Sequence, residues 1–255
     1  MSVSADATLD APFLLQLDPP APGVVNMRRD ADLLDRCNHG AITGALRLYG
    51  FAPACLSLGR LQPSGDVDME ACARAGVDVV RRPSGGRAVL HYAEVTYAVV
   101  CSVSDETFGG GVLDSCARIH GAVAAGLRAL GVATVAQAPA RDVRRAARAA
   151  ARSADCFAVP GAHELVDAQG RKVVGSAQAR QGAALLQHGS VLLRAPDASR
   201  YLRAARRAPD AAGVSDILGR DVRREELVRA LVTGFAAALG TRLRRDLQET
   251  FARDT

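Results

Sequence analysis

Apolar and polar positions alternate along several short stretches of the chain, and this period of two predicts β-strands. The clearest case is EVTYAVVCSV at 94–103, where Val95, Tyr97, Val99 and Cys101 fall on one face. Apolar runs bounded by turn residues predict further strands at 45–50, 54–59, 77–82 and 183–193, and a hairpin at 163–178.

Other stretches repeat their apolar residues every three or four positions, which predicts helices. The longest stripe consists of Val112, Cys116, Ile119, Val123, Leu127 and Leu130, and Gly131 ends it. A stripe near the C-terminal end consists of Val228, Leu231, Phe235 and Leu239. Shorter helices are predicted at 26–38 and 68–76. Because strands and helices mix without regular alternation, the pattern favours an α+β fold over a Rossmann arrangement.

The chain has 255 residues, of which 49% are hydrophobic, and this fits one large domain, or one domain with small appendages, with ample core. We predict an N-terminal arm at 1–24, in which PFLLQLD forms an edge strand, and a main domain at 25–245. The sequence contains no run of eighteen uninterrupted apolar residues, so no membrane span is predicted. The first residues carry acidic side chains and no basic cluster, so we expect a cytoplasmic protein without a secretory signal.

The formal net charge of +5 is compatible with nucleic-acid binding or with an acidic protein partner. Aromatic residues make up only 4%, so a stacking platform for nucleic acid is not predicted. An acidic protein partner accounts for the charge through electrostatic steering. The basic segment at 139–154, PARDVRRAARAAARSA, is either a solvated loop insertion or, with Arg81 and Arg82, a docking surface for such a partner.

The six cysteines are scattered without a CxxC pair, so no metal site is predicted. Five of them lie on apolar stripes or strands and are expected in the core: Cys37, Cys55, Cys72, Cys101 and Cys116.

Lys172 is the only lysine in a chain whose other basic residues are 31 arginines, and it follows Cys156 by 16 residues. A guanidinium cannot be deprotonated in proteins, whereas an ammonium can lose its proton. Lys172 is therefore a candidate for proton transfer or for a compact charge at a reacting carbonyl. A surface lysine that drift has not replaced is an equally good interpretation of composition alone.

The segment RRPSGGRAVLHY at 81–92 places two glycines between arginines, after a predicted strand. Glycine lets a backbone approach a ligand closely, and arginine offers donors to phosphate or carboxylate. No GK[ST] follows and the spacing is not GxGxxG, so neither a P-loop nor a dinucleotide site is predicted. Taken alone, the pair of glycines is more typical of a plain hairpin turn.

Several segments together resemble one known family: LRLYGFAPACLSLGRLQ, RRPSGGRAVLH, GRKVVGSAQARQGAALLQHGSVLL and DCFAVPGAHEL. Their order over residues 24–240 resembles the lipoate–protein ligase A family of the biotin/lipoate ligase superfamily. It is most similar to the octanoyl-[acyl carrier protein]:protein N-octanoyltransferase branch, whose CF-x-x-P-x-x-x-EL segment this chain shares. The family usually has Asp after the loop histidine, where this chain has Tyr92.

The resemblance implies a mixed, largely antiparallel sheet flanked by helices, and an octanoyl transfer in lipoate biosynthesis without ATP or another cofactor. It places the acyl-carrying nucleophile at Cys156 and the catalytic lysine at Lys172. The donor would be acyl carrier protein, and the acceptor the glycine-cleavage carrier or a lipoyl domain. A monomer that binds neither nucleic acid nor membrane is expected.

Substrate contacts are predicted on the glycine loop and the facing strands: Arg82, Gly85, Gly86, His91, Ser176, His188 and Gly189. His188 is an equally good structural histidine, and His163 is expected to be structural or exposed. The strands around Val79, Val89 and Leu186 are expected to form the acyl tunnel.

Two roles are open to Lys172. As an ammonium it would favour the thiolate of Cys156. As an amine whose pKa burial depresses, it would accept a proton from the incoming lysine, and only this role excludes arginine.

The sequence leaves two alternatives open. An ATP- and magnesium-dependent lipoate or biotin-type ligase would use Lys172 to stabilise an acyl-adenylate, and Cys156 would be incidental. A non-catalytic relative would bind carrier proteins without forming an acyl-enzyme.

Overall fold

The computed structural model of the protein describes residues 12–136, 154–158, 164–203 and 211–245. The strands are β1 Phe13–Leu17, β2 Gly44–Tyr49, β3 Cys55–Leu58, β4 Asp78–Arg81, β5 Val89–His91, β6 Glu94–Ser102, β7 Val135–Ala136, β8 Leu165–Val166, β9 Lys172–Gln181, β10 Ala184–Leu192 and β11 Leu243–Arg245. The α-helices are α1 Gly23–Asn38, α2 Met69–Ala75, α3 Val112–Ala129, α4 Val214–Leu218 and α5 Arg224–Leu239.

The main sheet has eight strands in the order β11-β1-β2-β6-β10-β9-β8-β7. The pairs of β1 with β2 and β11 are parallel, and the remaining pairs are antiparallel. The predicted α+β class with a mixed, largely antiparallel sheet is therefore confirmed. The edge position expected for PFLLQLD is wrong, because Phe13 pairs with both Gly44 and Leu243. The division of the chain at residue 24 stays a prediction.

Helices cover both faces of this sheet. The α3 and α5 helices cover one face. Gly126 allows them to approach closely, since a Cβ at this position would lie only 2.6 Å from the carbonyl oxygen of Ala230. The predicted stripes on both helices supply buried residues here, and β6 contributes Val95, Tyr97, Val99 and Cys101. The α1 helix covers the opposite face with Leu33 and Leu34. The alternation of β6 thus serves two cores, one on each face.

A second sheet, in the order β4-β3-β5, lies beside α1 and carries the glycine loop between β4 and β5. The backbone N–H of Gly23, at the start of α1, donates to Asp78 Oδ2 at 3.1 Å. The segment that contains Cys156 attaches to this sheet through a bridge between Ala88 and Asp155. Among the described residues, none of the helices combines the length and the hydropathy needed to cross a bilayer.

Four of the five cysteines expected in the core are buried, and Cys116 is half-buried on α3. Burial raises the pKa of both Cys37 and Cys116 to about 11, so these thiols stay protonated at neutral pH. Within the described part of the chain, no group of three or more His, Cys, Asp or Glu side chains is arranged to hold a metal ion.

Candidate active site

Cys156 is fixed against the strand that follows the glycine loop. Its backbone N–H donates to the carbonyl of Ala88 at 2.8 Å, and the N–H of Ala88 donates to Ala154 at 2.9 Å. The Asp155 carboxylate accepts from the N–H of Phe157 at 2.9 Å, which closes the turn around the cysteine. These bonds hold the half-buried thiol of Cys156 at the wall of a cavity.

Lys172, the first residue of β9, brings its ammonium group to this thiol. The Nζ atom donates to the carbonyl of Cys156 at 2.8 Å and lies 3.6 Å from its Sγ atom. A third contact joins Nζ to Glu164 Oε1 at 2.6 Å. The side chain is only 1% exposed, so the lone lysine is not a surface residue. Three ammonium protons therefore have three directed partners.

The electrostatics of this cluster overturn one expectation. Burial by itself lowers the pKa of Lys172, but the charges of Cys156 and Glu164 outweigh it, and the pKa lies above its ordinary value. The expected depression of the Lys172 pKa by burial is thus wrong here, because Cys156 and Glu164 both face the ammonium group. Burial explains why the lysine is sensitive to its neighbours: removing either charge changes its proton affinity strongly.

Glu164 is the functional candidate that the residue-by-residue analysis missed. It lies within the DCFAVPGAHEL segment, eight positions after Cys156, and its side chain is 13% exposed. The available sequence signal was an acidic residue eight positions after a cysteine, in a chain with a single lysine. Only the folded hairpin of β8 and β9 shows that all three side chains meet.

Cys156 opens on a cavity of about 370 Å³, a volume that includes its open mouth. The lining residues are Met27, Tyr49, Ser57, Arg82, Val89, His91, Thr96, Cys156, Gly175, Ser176, Ala177, His188, Gly189 and Ser190. Six predicted site residues therefore share one cavity. Val89 also lines it, as expected, whereas Val79 and Leu186 pack into separate apolar clusters. Contacts of Val79 and Leu186 with an acyl chain stay predictions, since neither residue lines this cavity.

Two glycines keep the cavity open beside the cysteine. A Cβ on Gly175 would lie 3.0 Å from both Lys172 Cε and Phe157 Cζ, so any side chain there would press on the catalytic candidates. A Cβ on Gly189 would lie 2.8 Å from the Ser176 hydroxyl. Ser176 itself bonds Tyr97 at 2.8 Å and His120 Nε2 at 2.6 Å. These bonds restrict the Ser176 hydroxyl within the cavity wall.

Arg82 lines the cavity, but its donors bond to the protein. Its Nε donates to Ser84, one terminal nitrogen donates to the carbonyl and hydroxyl of Ser57, and the other to the carbonyls of Gly85 and Arg87. All five N–H groups of the guanidinium are thereby used. In this structure Arg82 shapes the glycine loop, and a direct substrate contact of Arg82 stays a prediction.

The two loop glycines lie outside the cavity lining. Both Gly85 and Gly86 are exposed, and Gly86 has a φ of 88°, which a side-chain-bearing residue adopts only with strain. Their predicted substrate contacts stay predictions. Tyr92, where the family usually has Asp, is 63% exposed and is not among the cavity residues. His163 and most of the basic segment, residues 139–153, lie outside the described residues.

Both cavity histidines belong to buried hydrogen-bond networks. His188 bonds Asp30 Oδ2 at 3.0 Å and the hydroxyl of Ser84 at 2.6 Å. His91 bonds Glu94 at 3.0 Å and the hydroxyl of Ser57 at 2.8 Å. The occupied ring nitrogens give each histidine a structural task at the cavity wall, and their substrate roles stay predictions.

The Asp30 network ties the glycine loop to α1. Burial raises the pKa of Asp30, but His188 and Arg47 outweigh it, so the pKa is lowered and the carboxylate is charged. Arg47 donates to Asp30 Oδ1 at 2.7 Å, and the hydroxyl of Tyr49 donates to Oδ2 at 2.8 Å. The chain of contacts from Arg47 to Ser84 fixes the wall that faces Cys156.

A family model described as the lipoyl protein ligase A/B catalytic domain matches residues 22–236, which include every residue of this site. This chain belongs to that family. Within it, a relative from Kyrpidia tusciae named octanoyltransferase LipM is 42% identical over 231 residues, covering 86% of this chain and 84% of the relative. A second octanoyltransferase LipM, from Symbiobacterium thermophilum, is 37% identical over 237 residues, with coverage of 87% and 84%.

Solved structures of lipoate protein ligases share the fold. A lipoate-protein ligase A bound with ATP superposes with a TM-score of 0.70 at 23% identity, covering 92% of this chain and 88% of that chain. A bipartite lipoate protein ligase from Thermoplasma acidophilum gives a TM-score of 0.64 at 23% identity, with coverage of 92% and 86%. At this identity the similarity establishes the architecture alone.

Proposed function

We propose that this protein is an octanoyltransferase of lipoate biosynthesis that carries the octanoyl group on Cys156 between a donor and an acceptor protein. The activity rests on relatives that are 42% and 37% identical and bear this name. The intermediate rests on one observation: Lys172 Nζ lies 3.6 Å from the Sγ atom of a cysteine that lines the cavity. An acyl carrier protein is the proposed donor, and a lysine of a lipoyl-type domain is the acceptor.

In the first half-reaction the thiolate of Cys156 attacks the carbonyl of the donor's thioester. A carbon–sulfur bond to Cys156 forms, and the bond to the carrier's phosphopantetheine sulfur breaks. The departing carrier thiolate takes a proton from the ammonium group of Lys172. The exchange of one thioester for another needs no ATP, so no cofactor is required in this proposal.

Acylation changes the charge that Lys172 faces. The thioester of Cys156 is neutral, so one of the two influences that raise the pKa of Lys172 disappears, while burial continues to favour the neutral amine. The loss of the proton in the first half-reaction therefore leaves a buried amine beside the acyl group. A proton-accepting role for Lys172 follows from this change of charge, not from burial alone.

In the second half-reaction the neutral amine of the acceptor lysine attacks the acyl group on Cys156. A carbon–nitrogen bond forms, the carbon–sulfur bond to Cys156 breaks, and the amine's proton passes to Lys172. The thiolate and the ammonium of the starting site are restored. Over one cycle Lys172 moves a proton from the acceptor's amine to the donor's thiol.

The intermediate can be detected directly by intact-mass spectrometry. Mixing the enzyme with octanoyl-carrier protein, without ATP, should add one octanoyl group that hydroxylamine removes and that maps to Cys156. The Cys156→Ala variant should show no adduct and no product. Product formation by that variant, or an adduct on another residue, would contradict the proposal. ATP-dependent activation of free octanoate with pyrophosphate release would instead support a ligase.

Glu164 should act mainly in the second half-reaction. Glu164→Gln keeps an oxygen near Lys172 but removes the charge that raises its pKa, so the amine becomes a weaker base. We expect aminolysis of the acyl-enzyme to slow by about tenfold, the effect of one pKa unit, while acylation is preserved. Single-turnover rates of the two steps provide the test. Equal losses in both steps would show that Glu164 only holds its segment in place.

A further inference from the structure

A large apolar side chain is displayed beside the site without a packing role. Leu61 is 84% exposed, although most large apolar residues of the described chain are buried. It occupies the loop between β3 and α2, next to the exposed Arg60. A fully exposed leucine is ordinary on a mobile loop, so the question is whether this loop is held in place.

Hydrogen bonds from Arg81 hold the loop in place. Its guanidinium donates to the carbonyls of Gly59 at 2.7 Å, Arg60 at 3.2 Å and Gln62 at 2.8 Å. It also donates to the hydroxyl of Ser64 at 2.9 Å. One arginine therefore clamps the backbone on both sides of Leu61, and the leucine is presented on a preorganised support.

The same loop contacts both the glycine loop and the segment that contains Cys156. The backbone N–H of Arg60 donates to the carbonyl of Ser84 in the glycine loop at 2.8 Å. The side chain of Gln62 donates to the carbonyl of Ala154 at 3.1 Å, two residues before the nucleophile. A Cβ on Gly59 would collide with the carbonyl of Gly86, so the loops are in direct contact. The loop that carries Leu61 is thus held against the glycine loop and the Cys156 segment, at the rim of the site.

The charge around Leu61 selects an acidic partner. Arg60 is exposed and Arg87 of the glycine loop is half-buried, while the nearby carboxylate of Asp66 accepts a bond from Gln62 at 3.1 Å. The loop therefore presents one apolar side chain near two arginines and one carboxylate, a local excess of positive charge. Apolar anchors surrounded by charged rims are typical of protein docking surfaces, and the rim charges contribute to partner selection.

The reach of the two proposed substrates separates donor from acceptor. The donor presents its acyl group on a long phosphopantetheine arm, so its folded domain can stay away from Cys156. The acceptor presents its amine on the four-carbon stem of a lysine, so its domain must sit against the rim. A docking side chain in contact with the glycine loop and the nucleophile segment therefore suits the acceptor.

We propose that Leu61, supported by Arg81 and flanked by Arg60, is the docking anchor for an acidic acceptor domain that presents its lysine to the acyl-enzyme. This inference rests on the proposed function for the identity of the reacting lysine. It adds a surface outside the cavity that determines which proteins are modified. The wall residues of the cavity then recognise the acyl group, and the rim loop recognises the domain.

The test compares Leu61→Ser with a matched control, Leu113→Ser. Leu113 is 62% exposed on α3, which covers the face of the main sheet opposite to α1 and the second sheet. Enzyme already acylated on Cys156 is mixed with an intact lipoyl domain or with a short peptide bearing the same lysine. For Leu61→Ser we expect the KM for the domain to rise on the order of tenfold, with kcat and peptide transfer unchanged.

A second variant tests the charge. Arg60→Gln should flatten the salt dependence of the KM for the domain and leave the rate with the peptide unchanged. An unchanged KM in Leu61→Ser, or an equal rise in Leu113→Ser, would overturn the docking role. A rise confined to the KM for the donor would assign the loop to the donor and overturn the choice of the acceptor.

Failure of the proposed function remains distinguishable from failure of this inference. If wild-type enzyme forms no acyl-enzyme, the mechanism is wrong, yet calorimetric titration of the lipoyl domain still measures docking. In that titration Leu61→Ser should weaken binding on the order of tenfold relative to wild type and to Leu113→Ser. Equal affinities in all three proteins would overturn the docking surface independently of the chemistry.

Discussion

Replacing Lys172 by arginine is expected to slow octanoyl transfer on the order of 10²–10⁴-fold, the range for a lost acid–base group. The guanidinium keeps a positive charge beside Cys156, but it cannot become a neutral base at any pH that the protein tolerates. The second half-reaction, in which the acceptor's amine gives up a proton, should therefore be slowed more than the first.

Lys172→Met provides the matched control, because methionine has a similar length and no charge. Both variants change a side chain that is packed against Gly175 and Phe157, so circular dichroism and thermal melts must first show that each is folded. Single-turnover measurements then separate the steps. We expect Lys172→Arg to retain more of the acylation rate than Lys172→Met, and both to lose aminolysis alike. Near-normal aminolysis by Lys172→Arg would contradict proton transfer by this residue.

The parts of the fold that the sequence predicted are those governed by local periodicity. The alternation along β6 and the apolar stripe on α5 correctly placed Val99 and Phe235 in the core, because side-chain direction follows from backbone period. The position of β1 could not be obtained in this way. Its partner Leu243 is 230 residues away from Phe13, and no local pattern reports such a pairing.

The candidate site could likewise be predicted from the sequence only in part. Residue chemistry drew attention to Lys172, and the family resemblance paired it with Cys156, which the structure places in contact with it. The direction of the Lys172 pKa depended on where Glu164 lies, and a carboxylate's position relative to a buried ammonium cannot be derived from spacing. Likewise, arginine chemistry suggested a substrate contact for Arg82, whereas its hydrogen bonds to three atoms of the glycine loop and two atoms of Ser57 on β3 are a property of the folded chain.

The buried ion cluster behind the cavity should dominate the stability of this region. Arg47 is 0% exposed and donates to both Asp18 and Asp30 at 2.7 Å. Its guanidinium also lies 3.8 Å above the ring of Tyr49 and donates to Asn26 Oδ1 at 2.7 Å. Arg47→Met should lower the free energy of unfolding by about 3–5 kcal/mol, because it leaves the buried Asp30 carboxylate without its cation.

The loss should depend on pH in a defined direction. In the wild type the pKa of Asp30 is lowered, so its contribution to stability is present above the unfolded pKa and is lost as pH falls through the folded value. Without Arg47 the same carboxyl binds a proton more readily in the folded state. As the pH falls, Asp30 should then become protonated in the folded variant at a higher pH than in the folded wild type. The difference in stability between the two proteins should therefore shrink between pH 7 and pH 5.

Urea denaturation of a double-mutant cycle separates this charge effect from lost packing. Asp30→Asn removes the carboxylate, so the Arg47→Met/Asp30→Asn double variant should be more stable than Arg47→Met alone at pH 7. The double variant should also lose the acid-dependent recovery, because the group that takes up the proton is gone. If Arg47→Met is equally destabilised at both pH values and the second substitution restores nothing, Arg47 contributes through its packing against Tyr49. The Asp30 carboxylate would then hold His188 and the glycine loop in place without any need for a cationic partner.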